Sequence, residues 1–247
     1  MDFALFLDFD GTLVDIAPRP DAVVVEPGLI DNLEALRRRL GGALALVSGR
    51  PIAQIDGFLT PARFDAAGLH GVERRREGEI VGGRPEDHPD LRRQVERLHA
   101  DSAPLANVLI EDKGASVAVH WRLASAEDAQ RAEALVKEAA GLLGGAYRLQ
   151  LGKAVGEIVP ATATKAVAIR TFLEEAPYAG RRAIFLGDDK TDEIAFASVT
   201  EDGGVAVRVG DGETAAARRL PDPAAVRALI AAWAAGEPID PDALPPA

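Results

Sequence analysis

The sequence predicts an α/β protein with a doubly wound parallel sheet of the Rossmann-like kind, and with a smaller α+β domain inserted into it. Short apolar runs ending in polar residues alternate with helical segments over the first 70 residues and again after Pro160. Between these parts, the order changes to helix, strand, strand, helix, strand, strand. The predicted core therefore comprises residues 1–84 and 158–247, and the predicted inserted domain comprises residues 85–157.

The first half of the predicted core contains three parallel strands with two helices between them. The apolar runs at 3–7 and 43–47 have the length and composition of buried parallel strands. The segment 27–40 has leucines on one face and predicts an amphipathic helix. A second helix begins at Pro51, AAGLHG predicts the third strand and a turn, and the segment 73–84 predicts a hairpin around Glu77-Gly78.

The rest of the chain divides between the inserted domain and the second half of the core. In the insertion we predict helices at 89–100 and 125–143, with Ser125 as N-cap, and strands at 107–112, 116–122, 147–151 and 154–159. In the core we predict helices at 164–175, 191–198 and 223–235, and strands at 183–186 and 204–209. The tail EPIDPDALPPA is rich in proline and acidic residues, which predicts disorder.

Composition limits the partners that this chain can have. The 247 residues are 47% apolar and 27% charged, as in ordinary globular proteins, and the net charge of −11 disfavours nucleic acid and anionic membranes. There is no cysteine, no signal-peptide pattern and no apolar run near the ~20 residues that span a bilayer. We therefore expect a cytoplasmic protein, most simply a monomer, whose partner is a small molecule.

Two aspartates follow the first predicted strand, in the string DFDGTL. Asp8 and Asp10 are two residues apart, so their side chains point the same way. Ligand sites in open α/β sheets lie outside the carboxyl ends of the strands. Taken alone, Asp-x-Asp-Gly-Thr is also typical of a polar turn, but the preceding apolar strand makes the string more specific.

Ser48 occupies the equivalent position after the second predicted strand. Its hydroxyl and the Gly49 amide could bind phosphate oxygens beside a helix N-terminus. For an isolated Ser-Gly-Arg, helix capping is the commoner role. Lys165 lies at the predicted start of a helix and could add positive charge, although an isolated lysine is usually a surface residue.

Three aspartates follow the strand AIFLG in the string GDDKTDE. Asp188, Asp189 and Asp192 would repel one another unless a cation lay among them. Capping of the following helix is the alternative role, but it does not require this many carboxylates. The string therefore indicates a metal site.

Together, DFDGTL, Ser48 after a strand, Lys165 and GDDKTDE resemble, in order, the haloacid-dehalogenase superfamily of phosphotransferases. The resemblance implies that Asp8 attacks phosphorus and forms an aspartyl-phosphate. It implies that Asp10 first protonates the leaving oxygen and then activates water. Ser48 and Lys165 would hold the transferring oxygens.

The same resemblance implies Mg²⁺ as cofactor. The ion would be held by the Asp8 carboxylate, the Asp10 backbone carbonyl and Asp188, while Asp189 and Asp192 would orient metal-bound water. A cation is needed because an anionic nucleophile is repelled by a phosphate dianion.

Charged residues in the inserted domain are spaced to share one face of the predicted strands. The pairs are Glu111 with Lys113, His120 with Arg122, and Lys153 with Glu157, the last only if 153–157 is extended. Val117, Val119 and Trp121 would face the helices. A solvated sheet face commonly shows such alternation, but carboxylates and lysines would also suit a hydroxyl-rich sugar.

The strings AGLHG, IEDKGASVAVHWR, GKAVGEIVP and GDDKTDE, which lie between residues 67 and 193, resemble the trehalose-6-phosphate phosphatases. The resemblance implies that Glu111, Lys113 and Glu157 contact the sugar. The chain has Val159 where that family usually has arginine, and Ala166 where it usually has glycine. The full set of predicted substrate-binding residues is Gly11, Gly49, Arg50, Glu111, Lys113, Arg122, Lys153 and Glu157.

The leading hypothesis is hydrolysis of trehalose 6-phosphate to trehalose and phosphate. A phosphatase or mutase for another sugar phosphate, of the sucrose-, mannosyl- or glucosylglycerol-phosphate type, is the alternative. A non-catalytic carbohydrate-binding module is disfavoured because Asp8, Asp10 and Asp188 are all present.

Overall fold

The computed structural model describes residues 2–247 and contains twelve strands and seven α-helices within that range. The strands are β1 (Phe3–Leu7), β2 (Leu44–Val47), β3 (Asp65–Gly68), β4 (Glu73–Arg76), β5 (Glu79–Gly82), β6 (Leu109–Asp112), β7 (Val117–His120), β8 (Tyr147–Gly152), β9 (Val155–Pro160), β10 (Arg182–Gly187), β11 (Val205–Val209) and β12 (Arg218–Leu220). The helices are α1 (Leu29–Arg39), α2 (Ile52–Phe58), α3 (Pro89–Ser102), α4 (Ala126–Leu143), α5 (Lys165–Leu173), α6 (Glu193–Glu201) and α7 (Pro223–Ala235).

The chain forms two compact units. One comprises the chain up to Ile80 together with Thr164–Ala247, and the other is Val81–Ala163. The second unit extends beyond the predicted range 85–157 at both ends. At its C-terminal end the reason is that β9 pairs with β8 as far as Pro160.

An eight-stranded sheet organises the first unit, in the order β12-β11-β10-β1-β2-β3-β4-β5. The six strands from β12 to β3 are parallel, and β4 runs antiparallel to β3. The predicted hairpin is present, because Glu77 and Gly78 both have positive φ and connect β4 to β5. The carboxyl ends of the parallel strands meet at one edge of the sheet, where ligand sites of such folds lie.

Helices cover both faces of this sheet, as the alternation of side chains in β1 requires. Leu5 and Leu7 pack in a cluster with residues of α1 and α7, whereas Ala4 and Phe6 pack with residues of α5 and α6. The predicted doubly wound α/β core is confirmed. Its central strands β1 and β2 are apolar throughout because both faces are buried.

The second unit has an antiparallel sheet in the order β6-β7-β9-β8. Val117, Val119 and Trp121 belong to a buried cluster with residues of α3 and α4, as predicted. Ser125 caps α4 by accepting a hydrogen bond from the Asp128 amide at 3.1 Å. The opposite face of the sheet carries Glu111 and Glu157.

The prediction of a disordered tail is wrong. Leu244 packs on the core, Asp242 pairs with Arg182, and the Arg219 amide donates to the Pro245 carbonyl. The tail therefore lies against β12, a strand that the sequence analysis did not predict. None of the described helices is both long and apolar enough to cross a membrane.

Candidate active site

Three polar residues follow directly on parallel strands of the large sheet. Asp8 comes after β1, Ser48 after β2 and Asp188 after β10. The Asp8 amide donates to the Leu186 carbonyl at 3.0 Å, which continues the pairing of β1 with β10 and fixes the backbone of Asp8. Asp8 and Ser48 are buried, with 5% and 2% of their surface exposed.

Lys165 is the charged centre of the site. It is the first residue of α5 and only 4% exposed, so it is not the surface lysine that its sequence context alone would suggest. Its Nζ lies 2.9 Å from Asp8 Oδ1 and 2.5 Å from Asp192 Oδ1. Burial opposes protonation, but the charges of Asp192 and Asp8 outweigh it and raise the pKa of Lys165. Lys165 is therefore a cation held between two carboxylates.

Asp188 completes a cluster of three carboxylates. One oxygen from each of Asp8, Asp188 and Asp192 lies within 4.8 Å of the others. Burial raises the pKa of Asp8 well above its usual range, with Lys165 opposing the shift, and burial together with the charge of Asp192 raises the pKa of Asp188 to about 6. The single positive charge of Lys165 does not balance the three carboxylates of this cluster.

A divalent cation fits this deficit. Asp188 Oδ1 is buried and accepts no hydrogen bond from any described residue. A buried carboxylate oxygen without a donor is costly, and hard cations such as Mg²⁺ bind carboxylate oxygens. The three side chains that could hold the ion are those of Asp8, Asp188 and Asp192.

Asp189 lies apart from these carboxylates. It is exposed, precedes the short 3₁₀ helix Lys190–Asp192, and forms a capping box with Asp192. Its amide donates to Asp192 Oδ2 at 3.1 Å. Asp189 therefore has the capping role that the sequence left open and orients Asp192, while its role in orienting metal-bound water stays a prediction.

Gly11 makes room for Asp188. It has φ +73°, and a Cβ at this position would lie 2.0 Å from Asp188 Oδ2. The predicted role in substrate binding is thus accompanied by a packing requirement that only glycine meets here.

We expect Gly11→Ala to lower kcat by about 100-fold or more, because displacing a positioned group by about 1 Å has effects of that size. Gly78→Ala is the matched control, since Gly78 has φ +87° but no atom within 4 Å of the added Cβ. Steady-state rates and unfolding midpoints of both variants make the comparison. Wild-type kcat in Gly11→Ala would show that Asp188 does not need its position.

The carboxylate of Asp10 points to a different partner from that of Asp8. Arg50 Nε lies 2.5 Å from Asp10 Oδ2, and Arg50 Nη2 lies 2.7 Å from Asp10 Oδ1. The Asp10 side chain is 34% exposed, much more than that of Asp8. Asp10 therefore lies at the open side of the cluster, bound by a two-point ion pair.

Ser48, Gly49 and His70 form a tightly packed group beside this pair. Ser48 Oγ accepts a hydrogen bond from the Arg50 amide at 3.1 Å, and the Ser48 carbonyl accepts one from the His70 amide at 2.9 Å. A Cβ on Gly49 would lie 2.8 Å from the His70 ring. His70 was not predicted as a site residue, although it lies in the string AGLHG, and its left-handed backbone (φ 58°) is a feature that sequence alone does not display.

The polar face of the small sheet holds one ion pair and one hydrogen bond between a histidine and a carboxylate. Lys113 Nζ lies 2.9 Å from Glu157 Oε1, and His120 Nε2 lies 2.9 Å from Glu111 Oε2. Ser116, which is buried and was not predicted, donates from Oγ to Glu157 Oε1 at 3.1 Å. Each of these carboxylates is thereby fixed in position.

Glu111 and Glu157 lie in one row across the small sheet, because each is opposite Ala118 in β7. Ala118 has only a methyl group between the two carboxylates, and cross-strand neighbours lie about 5 Å apart. The face thus presents two carboxylates around a small residue, an arrangement suited to sugar hydroxyls.

Lys153 and Glu157 do not share a strand. Lys153 and Ala154 form the turn between β8 and β9, and Ala154 has φ 65°. Lys153 is exposed and its carbonyl is contacted by Arg122 Nη2 at 3.5 Å. The condition for a shared face, that 153–157 is extended, is not met at its first two residues, so Arg122 and Lys153 lie together near the hairpin end, apart from the Glu157 row.

Comparison with known proteins agrees with this arrangement. A family model described as trehalose-phosphatase matches residues 6–223. The chain belongs to the trehalose-phosphatase family. It is therefore a phosphatase with a haloacid-dehalogenase-type core, as predicted.

Individual relatives of the trehalose-phosphatase family match almost the whole chain. A probable trehalose-phosphate phosphatase of Sinorhizobium fredii is 46% identical over 94% of this chain and 88% of its own length. The trehalose-6-phosphate phosphatase of Escherichia coli is 41% identical over 88% of this chain and 81% of its own. A crystal structure of a trehalose-6-phosphate phosphatase related protein is 28% identical, with a TM-score of 0.76 over 92% of this chain and 95% of that one.

Proposed function

We propose that this protein hydrolyses trehalose 6-phosphate to trehalose and phosphate, with Asp8 as nucleophile. The observation that carries the proposal is the buried contact of Asp8 with Lys165, in a cluster with Asp188 and Asp192 at the carboxyl ends of the strands. The names of the relatives supply the substrate, since both bacterial relatives are called phosphatases of trehalose phosphate.

We propose Mg²⁺ as the cation, held by the carboxylates of Asp8, Asp188 and Asp192, with the Asp10 backbone carbonyl as a further oxygen ligand. When bound, the ion neutralises charge between these carboxylates and the phosphate dianion. Lys165 contributes the second positive charge and, together with the Ser48 hydroxyl, binds oxygens of the transferring group.

The reaction takes place in two displacements. An Asp8 oxygen forms a bond to phosphorus while the bond from phosphorus to the sugar oxygen breaks, and Asp10 gives its proton to that oxygen. Water then attacks the aspartyl-phosphate, Asp10 takes a proton from the water, and the bond between Asp8 and phosphorus breaks. Phosphate leaves and both aspartates return to their starting state.

The second unit would supply recognition of the sugar. We propose that Glu111, Lys113 and Glu157 bind hydroxyls, because their carboxylates and ammonium lie on one face and are held by the Lys113–Glu157 ion pair and the His120–Glu111 hydrogen bond. Arg122 and Lys153, at the hairpin end of the small sheet, are proposed as further sugar contacts. Gly11, Gly49 and Arg50 belong to the phosphate end of the site.

A phosphate-release assay with Mg²⁺ tests the substrate. We expect trehalose 6-phosphate to have a higher kcat/KM than glucose 6-phosphate, since the second glucose would add contacts that the monosaccharide lacks. Sucrose 6-phosphate and glycerol-linked sugar phosphates belong in the same panel. Faster turnover of any of these would overturn the choice of sugar while leaving the phosphatase reaction in place.

A further inference from the structure

Asp10 requires orientation that its own surroundings do not give. Its side chain is 34% exposed, so packing alone does not restrict the carboxylate to one staggered rotamer. Within the described part of the chain, the hydrogen bonds of the Asp10 carboxylate are with Arg50. A proton carrier must lie within hydrogen-bond reach of the atoms that exchange the proton. The residue that orients the Asp10 side chain therefore affects the rate of both proton transfers.

Arg50 is itself held firmly. Its Nη1 donates to the Pro20 carbonyl at 2.8 Å and to Gln54 Oε1 at 3.3 Å. The guanidinium carbon lies 5.2 Å from the centre of the Phe58 ring, within the range of a cation–π contact. Its side chain is 12% exposed. The guanidinium group that binds Asp10 through two nitrogen atoms is thus itself held in one orientation.

The donors of Arg50 are largely occupied. Nε and one N–H of Nη2 bind Asp10, and Nη1 serves Pro20 and Gln54, which together account for four of the roughly five N–H donors of a guanidinium. Little remains for a substrate oxygen. A carboxylate, by contrast, has about four lone-pair sites, so the fork leaves acceptor positions on Asp10 unused.

We propose that Arg50 is a positioning residue for Asp10: the two-point contact with the guanidinium sets the plane of the Asp10 carboxyl group for both proton transfers, and Arg50 is not a direct substrate ligand. This inference rests on the proposed function, because it needs Asp10 as the proton carrier. It changes the expectation for Arg50, whose loss then affects rate constants instead of substrate affinity.

The variants Arg50→Met and Arg50→Lys test the proposal. Met removes the fork, and Lys keeps the charge without the two-point geometry. With trehalose 6-phosphate and Mg²⁺, we expect both to lower kcat by about 10- to 100-fold, part of the ~10²–10⁴-fold that acid–base catalysis contributes, with KM changed less than threefold. Arg182→Met is the control, because Arg182 makes a two-point pair with Asp242 at the other end of β10.

Rapid mixing with p-nitrophenyl phosphate separates the two steps. Nitrophenolate leaves without needing a proton, so the first displacement keeps its wild-type rate in the Arg50 variants, whereas hydrolysis of the phosphoenzyme still needs Asp10. We therefore expect a burst of nitrophenolate equal to the enzyme concentration, followed by slow turnover. A protein that is merely misfolded gives a smaller burst.

Two results would overturn the role of Arg50. One is a raised KM with unchanged kcat, which would make Arg50 a substrate ligand. The other is a burst phase slowed as much as steady turnover, because the effect would then not be specific to proton transfer. Failure of the proposed function would give a different result from failure of the Arg50 proposal, because the wild-type protein itself would then release no phosphate from trehalose 6-phosphate.

Discussion

Asp8→Asn is expected to lower kcat for trehalose 6-phosphate by about 10⁴-fold or more while the protein stays folded. The amide is nearly the same size as the carboxylate but cannot form the bond to phosphorus, and removal of a nucleophile has effects of this order. Phosphate release measures the loss of kcat, and the unfolding midpoint of the same preparation shows whether the protein stays folded.

The control for Asp8→Asn is Asp31→Asn. Asp31 is an exposed aspartate in α1, outside the three-carboxylate cluster, so its neutralisation should change kcat less than about tenfold. Near-normal turnover by Asp8→Asn, in protein shown by mass to retain asparagine, would remove Asp8 from the chemistry.

Lys165→Met is expected to lower the free energy of unfolding by about 3–5 kcal/mol in the absence of divalent cations, because it leaves Asp8 and Asp192 buried without their common partner. The Met side chain matches the length of the lysine stem, so little packing is lost. We also expect kcat to fall by about 10²–10³-fold, the usual cost of removing one group that stabilises transition-state charge. Denaturant unfolding and phosphate release measure the two effects.

Lys137→Met provides the comparison for stability. Lys137 pairs with Glu133 at 2.6 Å on the exposed face of α4, and such helix pairs contribute only about 0.2–0.5 kcal/mol. A loss below about 1 kcal/mol in Lys165→Met would mean that the carboxylates around Lys165 do not depend on its charge.

The sheet and the residues at its strand ends could be predicted because one physical rule links them. Buried parallel strands are apolar on both faces, so the first polar residue after each run marks a carboxyl end. Asp8, Ser48 and Asp188 follow from that rule, and parallel pairing brings them to one edge of the sheet. The apolar pattern therefore contains most of the information about the location of the site.

Side-chain pairing could not be predicted in the same way. Burial of Lys165 depends on two carboxylates that are distant in sequence, and the fork of Arg50 on Asp10 joins residues 40 apart. Propensity rules describe neighbours along the chain and contain no term for such contacts. The role assigned to Arg50 could be reached only through the geometry of its donors.

Local backbone conformation and tertiary packing account for the remaining differences between the predicted and the observed structure. Ala154 adopts positive φ, which is unusual for alanine, and so places Lys153 in a turn. The tail is rich in proline and acids, yet Ile239 and Leu244 pack on the core and hold it in place. Composition predicts disorder only where few apolar side chains find a partner.

The most direct test of the central claim is to identify the phosphorylated residue. Wild-type protein turning over trehalose 6-phosphate with Mg²⁺ would be quenched in acid and digested, and the phosphate would be mapped by mass spectrometry. Our account predicts phosphate on Asp8, in amounts that rise when Asp10→Asn slows hydrolysis of the intermediate. Phosphate on another residue, or rapid turnover with no phosphorylated peptide in either protein, would contradict it.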